Sequence, residues 1–388
     1  MSFAARVSAI APSATMAVKR AAEELRRRGV DVIDLGPGEP DFPTPEHIKE
    51  AACQALARNF TKYTADSGIF ELREAIAQRY NRDYGTAYTA ENVLVTSGAK
   101  QALYHIAEAL LEDGDEVLLP VPYWVSYPEQ IKLMGATPVL VPTHARDGFR
   151  LRAHAIADRI TKRTKAIIVN SPNNPSGATV ESAELEKIVE LAVKHQLWLI
   201  YDECYEKFLY EGVHVSACEF NTQRVVIVSS VSKTYAMTGW RLGWAVAPKE
   251  LIQAMAKLQS HSTSHPTSIS QYAALAALTG DQRCVAEMLS EYRRRREFVL
   301  KELAQIRGLE CAPPQGAFYL FPDVSRFFNG EISNSSELAR YLLENAHVAV
   351  VPGAGFGADE CIRISYATSL EQLREGLKRL REGLQSLS

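Results

Sequence analysis

The sequence predicts an α/β protein, with a large domain built on a mostly parallel sheet and a second, smaller α/β unit. Between residues 90 and 250, short β-rich runs alternate with helical patterns. Several of those runs are apolar at almost every position, as strands covered on both faces must be. The chain also has 388 residues, beyond the roughly 250–300 at which one hydrophobic core stops growing.

Taken in order, Pro12 and Ser13 open a helix that Gly29 closes, and Ile69, Leu72, Ile76 and Tyr80 share the stripe of a second helix. The predicted strands are NVLV at 92–95, EVLL at 116–119, PVLV at 138–141, AIIV at 166–169, WLIYD at 198–202, VVIVSS at 225–230 and LGWAVA at 242–247. The segment DQRCVAEMLSEYRRRREFVLKELAQI then reads as a long charged helix. Its four successive arginines, Arg293 to Arg296, spread around nearly the whole helix and leave no single basic face, so solvated side chains are expected. Alternation resumes in AFYLF, VAVVP and CIRIS, and a last helix starts near Ser369. The expected division is a large domain over 46–290 and a discontinuous small domain from 1–45 and 291–388.

Composition narrows the function. A net charge of −3 and a pI near 6.3 argue against a nucleic-acid binder or a membrane-surface protein. The N-terminus lacks the apolar core of a signal peptide, and no run approaches the ~18 apolar residues of a membrane span. Six cysteines occur without a C-x-x-C pair, which favours free thiols in a reducing, cytoplasmic setting over a metal site.

The chemistry concentrates in SSVSKTYAMTGWRLGWAV, residues 229–246. Lys233 offers an amine that can form a Schiff base with an aldehyde cofactor. Ser230 and Ser232 offer hydroxyls, and Arg241 a planar fork suited to phosphate. TSGAKQAL at 96–103 follows a strand and opens a helix, so its backbone N–H groups form a phosphate cradle at a positive dipole end. NSPNNPSG at 170–177 marks a tight turn at a strand's C-terminal end, where open α/β sheets bind ligands. Asp202 ends WLIYD, a position open both to a cap and to a cofactor partner. Arg363, in CIRISYATS, is open both to a solvated edge and to a carboxylate clamp.

These motifs resemble the fold-type I, class I and II pyridoxal-phosphate-dependent aminotransferases, whose lysine motif reads S-x-S-K-x-[FY]-x-M-x-G-W-R-x-G. The resemblance runs from PSAT at 12–15 to SYATS at 365–369, and is strongest to bacterial aspartate aminotransferases of the subgroup that includes prephenate users. It implies that Lys233 carries pyridoxal phosphate and that Ser230, Arg241 and the backbone of Gly98, Ala99 and Lys100 hold the phosphate. By the same resemblance Trp124 stacks on the pyridine ring, Asn174 and Tyr205 meet its phenolic oxygen, and Asp202 pairs with its nitrogen. Arg363 and the backbone of Gly38 take the substrate's α-carboxylate. Tyr63 reaches the phosphate of a neighbouring subunit, implying a homodimer with shared sites.

For the substrate, the resemblance points to aspartate, with 2-oxoglutarate as acceptor. Aspartate-using members of the subgroup carry S-G-A-K as here, and Lys100 is the candidate reader of the distal carboxylate. A cation in the first turn of a helix is electrostatically disfavoured and so calls for a partner. Prephenate-using relatives tend to carry a basic residue just before P-S-A-T, where this chain has Ala11. The same cofactor residues would also serve an aminotransferase for aromatic, alanine or prephenate substrates, or a β-lyase on this fold.

Overall fold

A computed structural model describes residues 3–387. Its twelve strands begin with a short β1 (Ile33–Asp34), followed by β2 (Val93–Thr96), β3 (Glu116–Pro120) and β4 (Thr137–Val141). Next come β5 (Thr164–Asn170), β6 (Trp198–Asp202), β7 (Val225–Ser230) and β8 (Gly243–Val246). The C-terminal part adds β9 (Tyr319–Leu320), β10 (Val348–Ala349), β11 (Val351–Pro352) and β12 (Ile362–Ser365).

All seven predicted runs of the large sheet are strands, in the order β2-β8-β7-β6-β5-β3-β4. The sheet is parallel except for β8, which runs antiparallel to both of its neighbours. β2, β7 and β8 are buried at every position, as continuous apolar runs require. β4 lies at the edge, and there Leu140 is exposed. The stripe of the helix Phe70–Tyr84 holds as well, with Leu72, Ile76 and Tyr80 fully buried and Ile69 buried just before its first turn.

Beyond the large sheet, β1 pairs in parallel with β10, and β11, β12 and β9 form an antiparallel sheet. Ile33 and Leu35 share a core with residues from Met288 to Leu384. The same core also takes in Cys204, Tyr205, Phe208 and Tyr210, and the helix Arg283–Leu303 runs through the boundary expected at 290.

The expectation of solvated arginines is corrected by the structure. Arg295 is buried and bonds Asp41 at 2.7 Å and Glu291 at 2.8 Å, while Arg296 donates to the Pro314 carbonyl at 2.7 Å. Arg294 alone of the run is paired within an exposed turn, to Glu291. Four consecutive helical residues must point in all directions, and this helix is covered on one side, so some of the four necessarily enter the packed face.

Candidate active site

Three parallel strands end together and set the floor of the site. Asn170 at the end of β5 lies in register with Asp202 at the end of β6, and β7 ends alongside at Ser230. Loops beyond these ends, the start of the helix Ala99–Leu110 and the segment after β1 enclose a cavity of about 390 Å³. Lys233, Asp202, Tyr205, Asn174, Trp124 and Arg363 all line it, as do Gly38, Ala99, Lys100, Ser230 and Arg241.

Lys233 sits in the turn just after β7, and its Nζ donates to the Gly38 carbonyl. Burial, aided by the positive charges of Arg363 and Arg241, pulls its amine down to about 8. About a tenth of the amine is therefore in the neutral, nucleophilic form at about pH 7, far more than for an ordinary lysine.

Asp202 accepts from the Tyr127 hydroxyl at 2.7 Å and from the Cys204 amide at 3.1 Å. Burial pushes its carboxyl up, against the pull of those two bonds. No cation among the described residues pairs with it. Asn170 ties this strand end to the next turn: its Nδ2 donates to the Asp202 carbonyl at 3.0 Å and its Oδ1 accepts from the Asn174 amide at 2.8 Å.

Arg363 on β12 is 2% exposed, so the solvated-edge alternative is excluded. Its Nη1 donates to Asn174 Oδ1 at 2.9 Å and its Nη2 to the Gly36 carbonyl at 2.7 Å, while its buried Nε has no partner. A Cβ at Gly38 would lie 3.0 Å from the Tyr319 hydroxyl and 3.7 Å from Arg363 Nη2. Glycine there keeps the approach to the guanidinium open.

At the opposite end, Gly98 has φ +85, and a Cβ on it would come within 2.6 Å of Arg241 Nη2. Arg241 is itself held in a left-handed conformation, with Nη1 on the Thr238 carbonyl at 2.8 Å. Arg241 thus lies against the start of the helix Ala99–Leu110, and Ala99, Lys100, Ser230 and Arg241 line the same cavity, a donor set suited to a phosphate dianion. The Lys100 ammonium lies 4.8 Å from the Trp124 ring centre. Desolvation lowers its pKa, with Arg241 adding to the effect.

Of the residues singled out in the sequence, Tyr63 stands apart: it is 91% exposed and touches the edge of His265, away from the cavity of its own chain. Several other residues of the site went unrecognised. Tyr127 lies only three residues beyond Trp124, a spacing that could have drawn attention to it. Asn170 opens the NSPNNPSG turn but stands apart from the Asn-Pro step that marks Asn174, and Cys204 and Tyr319 carried no such signal.

Behind the site, Glu203, Glu206 and His214 bring one potential metal-ligating atom each within 4.8 Å of one another. Their oxygens are already engaged by Tyr80, Ser216, Tyr84 and Arg79. This cluster anchors the reverse side of the segment that presents Asp202 and Tyr205.

The residues present fit pyridoxal phosphate. A buried carboxylate without a cation suits a protonated ring nitrogen, the Gly98–Arg241 cradle suits a phosphate, and a buried lysine of lowered pKa suits an aldehyde. Fold and site together are those of an enzyme that handles an amine through a lysine. The chain belongs to the family described as aminotransferase class I and II, which matches residues 30–380. Within it, the chain is 46% identical over 98% of its length, and 98% of the relative's, to an aspartate aminotransferase of Geobacillus stearothermophilus. It is 48% identical to the aspartate/prephenate aminotransferase of Thermus thermophilus, over 96% of each chain. The solved structure of a Thermus thermophilus aspartate aminotransferase with maleate superposes with a TM-score of 0.95 at 46% identity, covering 99% of this chain and 100% of that one.

Proposed function

We propose that this aminotransferase moves the amino group of L-aspartate to 2-oxoglutarate by a ping-pong mechanism, with pyridoxal phosphate held at Lys233. The observation that carries the reading is the convergence on one cavity of a buried amine, a buried carboxylate and a buried guanidinium: Lys233, Asp202 and Arg363. The names of the relatives at 46% and 48% identity favour aspartate as donor. Steady-state rates with aspartate, alanine, phenylalanine and prephenate's amino product, each against 2-oxoglutarate, test the choice. Aspartate is expected to give the highest kcat/KM, and a higher value for the prephenate product would shift the reading to the relatives' second substrate.

Pyridoxal phosphate, when bound, supplies an aldehyde to receive the amino group and a conjugated ring to take up the electron pair left at the substrate's Cα. Arg241, Ser230 and the backbone of Gly98, Ala99 and Lys100 would hold its phosphate, and Trp124 would cover its ring. Asp202 would keep the ring nitrogen protonated, fixed in position by Tyr127 and Cys204. Asn174 and Tyr205 would donate to the phenolic oxygen. Arg363 grips the substrate's α-carboxylate, with the Gly38 backbone alongside, which orients the Cα–H bond. The Lys233 amine, displaced by the substrate's own amine, takes the Cα proton and returns it on the other side of the transfer. Its low pKa suits both directions of that movement.

Lys100 reads the distal carboxylate in this account. A charge-assisted hydrogen bond of about 1.5–3 kcal/mol corresponds to a loss of about ten- to 150-fold in kcat/KM. Lys100→Ala is expected to lose that much with aspartate and much less with alanine or phenylalanine. Equal losses on all three would assign Lys100 to the phosphate turn alone.

The active unit is a homodimer in this reading, with Tyr63 completing the partner's phosphate site. The exposure of Tyr63, which is 91% accessible and lies outside the cavity of its own chain, supports it. Co-expressed Tyr63→Phe and Lys233→Ala chains should form hybrid dimers in which one site carries neither substitution, giving more activity than the two parents combined. Activity equal to the parents' sum would remove Tyr63 from the shared site. The six cysteines are all free, which supports the cytoplasm as its compartment. Among the described residues no helix is long and apolar enough to cross a membrane.

A further inference from the structure

We propose that Tyr319 is a positioning residue, whose hydroxyl aims the Tyr205 proton into the cavity and links it to the carboxylate clamp at Arg363. The inference rests on the reading of the Lys233 cavity as a pyridoxal-phosphate site.

Tyr319 lies on β9, beside the strand β12 that carries Arg363, with Ser365 opposite it in register. Its ring packs under the guanidinium, 4.6 Å from ring centre to Cζ. Its hydroxyl crosses to the large domain and meets Tyr205 Oη at 2.8 Å. Asn174 closes the circuit, donating to Tyr205 Oη at 3.4 Å while accepting from Arg363 at 2.9 Å. Four side chains from four separate segments thus form one ring of contacts.

The direction of the Tyr205–Tyr319 bond follows from counting protons. Each phenol has one proton to donate and can accept further bonds. Tyr319 is fully buried and does not line the cavity, and Tyr205 is its one hydrogen-bond partner among the described residues. If Tyr205 donated to Tyr319, the Tyr319 proton would be left buried with no acceptor, which is unfavourable. With Tyr319 as donor both protons are served, because Tyr205 faces the cavity, where a bound phenolic oxygen can accept. A hydroxyl that accepts one hydrogen bond is polarised into a better donor of the next. Tyr319 therefore strengthens the bond that Tyr205 makes, and its packing against Arg363 holds it in register with the substrate's carboxylate.

The test compares the loaded enzyme with its Tyr319→Phe, Tyr205→Phe and doubly substituted forms, read by pH titration of the cofactor's visible absorption. Phenylalanine keeps the ring and its packing, so only the hydroxyl is lost. A weaker donor at Tyr205 stabilises negative charge on the phenolic oxygen less and makes the bound cofactor hold its proton to higher pH. Tyr319→Phe is expected to raise the titration midpoint by about half a pH unit. In the Tyr205→Phe background the same change should move it hardly at all, because Tyr319 acts through Tyr205. An unchanged or lowered midpoint in Tyr319→Phe, or an equal rise in both backgrounds, would overturn the proposal while leaving the site intact. A wild-type protein without any Lys233-dependent visible band would overturn the reading of the site itself, and this inference with it.

Discussion

Lys233→Ala is expected to abolish the visible absorption of bound pyridoxal phosphate and to lower kcat with aspartate by at least about ten-thousand-fold. A positioned general acid–base contributes about a hundred- to ten-thousand-fold, and here the same amine is also the covalent anchor, so the loss belongs at or beyond the upper end. The amine's pKa of about 8 adds a signature with a definite sign. Below that value the unreactive ammonium of Lys233 predominates, and above it the free amine does. Labelling of Lys233 by an amine-directed reagent in cofactor-free protein should rise with pH, half-maximal near about 8, while exposed lysines respond only at higher pH. Peptide mapping of the labelled protein checks this. A Lys233→Ala protein that turns over aspartate at the wild-type rate would end the assignment.

Asp202→Asn is expected to lower kcat by about a hundred- to ten-thousand-fold while leaving KM for aspartate much less altered. The substitution keeps the shape of the side chain and a partner for Tyr127, but removes the charge that would hold a ring nitrogen protonated. Breaking a buried charged pair costs about 3–5 kcal/mol, and each 1.36 kcal/mol of barrier is tenfold in rate. Arg363 grips the carboxylate at a different end of the cavity, which is why binding should be largely spared. Steady-state kinetics of the isolated holoenzyme measure the split. A loss confined to KM would mean that Asp202 supports the substrate and not the ring.

The large sheet was legible because all of its strands but the edge strand β4 are largely buried, and continuous apolar runs such as VVIVSS can hardly be read otherwise. β1, with two residues, offers no periodicity to read and exists only because β10 lies beside it. Arg295 was misread for a related reason: the helix period shows that four arginines fan out, but not that one of them meets Asp41, 254 positions away. In the site, Lys233, Arg241 and Asn174 stand in compact motifs whose spacing carries their chemistry. Tyr127 and Tyr319 matter through hydroxyl contacts that span 75 and 114 positions. Such contacts arise from strand order and leave no local pattern. Arg363 was ambiguous by pattern alone, since an arginine in an alternating strand is more often exposed, and its burial between Tyr319, Phe356 and Asn174 resolved the choice.

The most direct test of transamination at Lys233 is a single half-reaction. Holoenzyme at a concentration comparable to its substrate is mixed with aspartate and no oxo acid, and oxaloacetate, pyruvate and ammonia are each measured. A ping-pong aminotransferase should release about one oxaloacetate per site and then stop, without ammonia, resuming only when 2-oxoglutarate is added. Continued release of ammonia with pyruvate would identify a lyase, and the absence of any oxaloacetate would contradict the account.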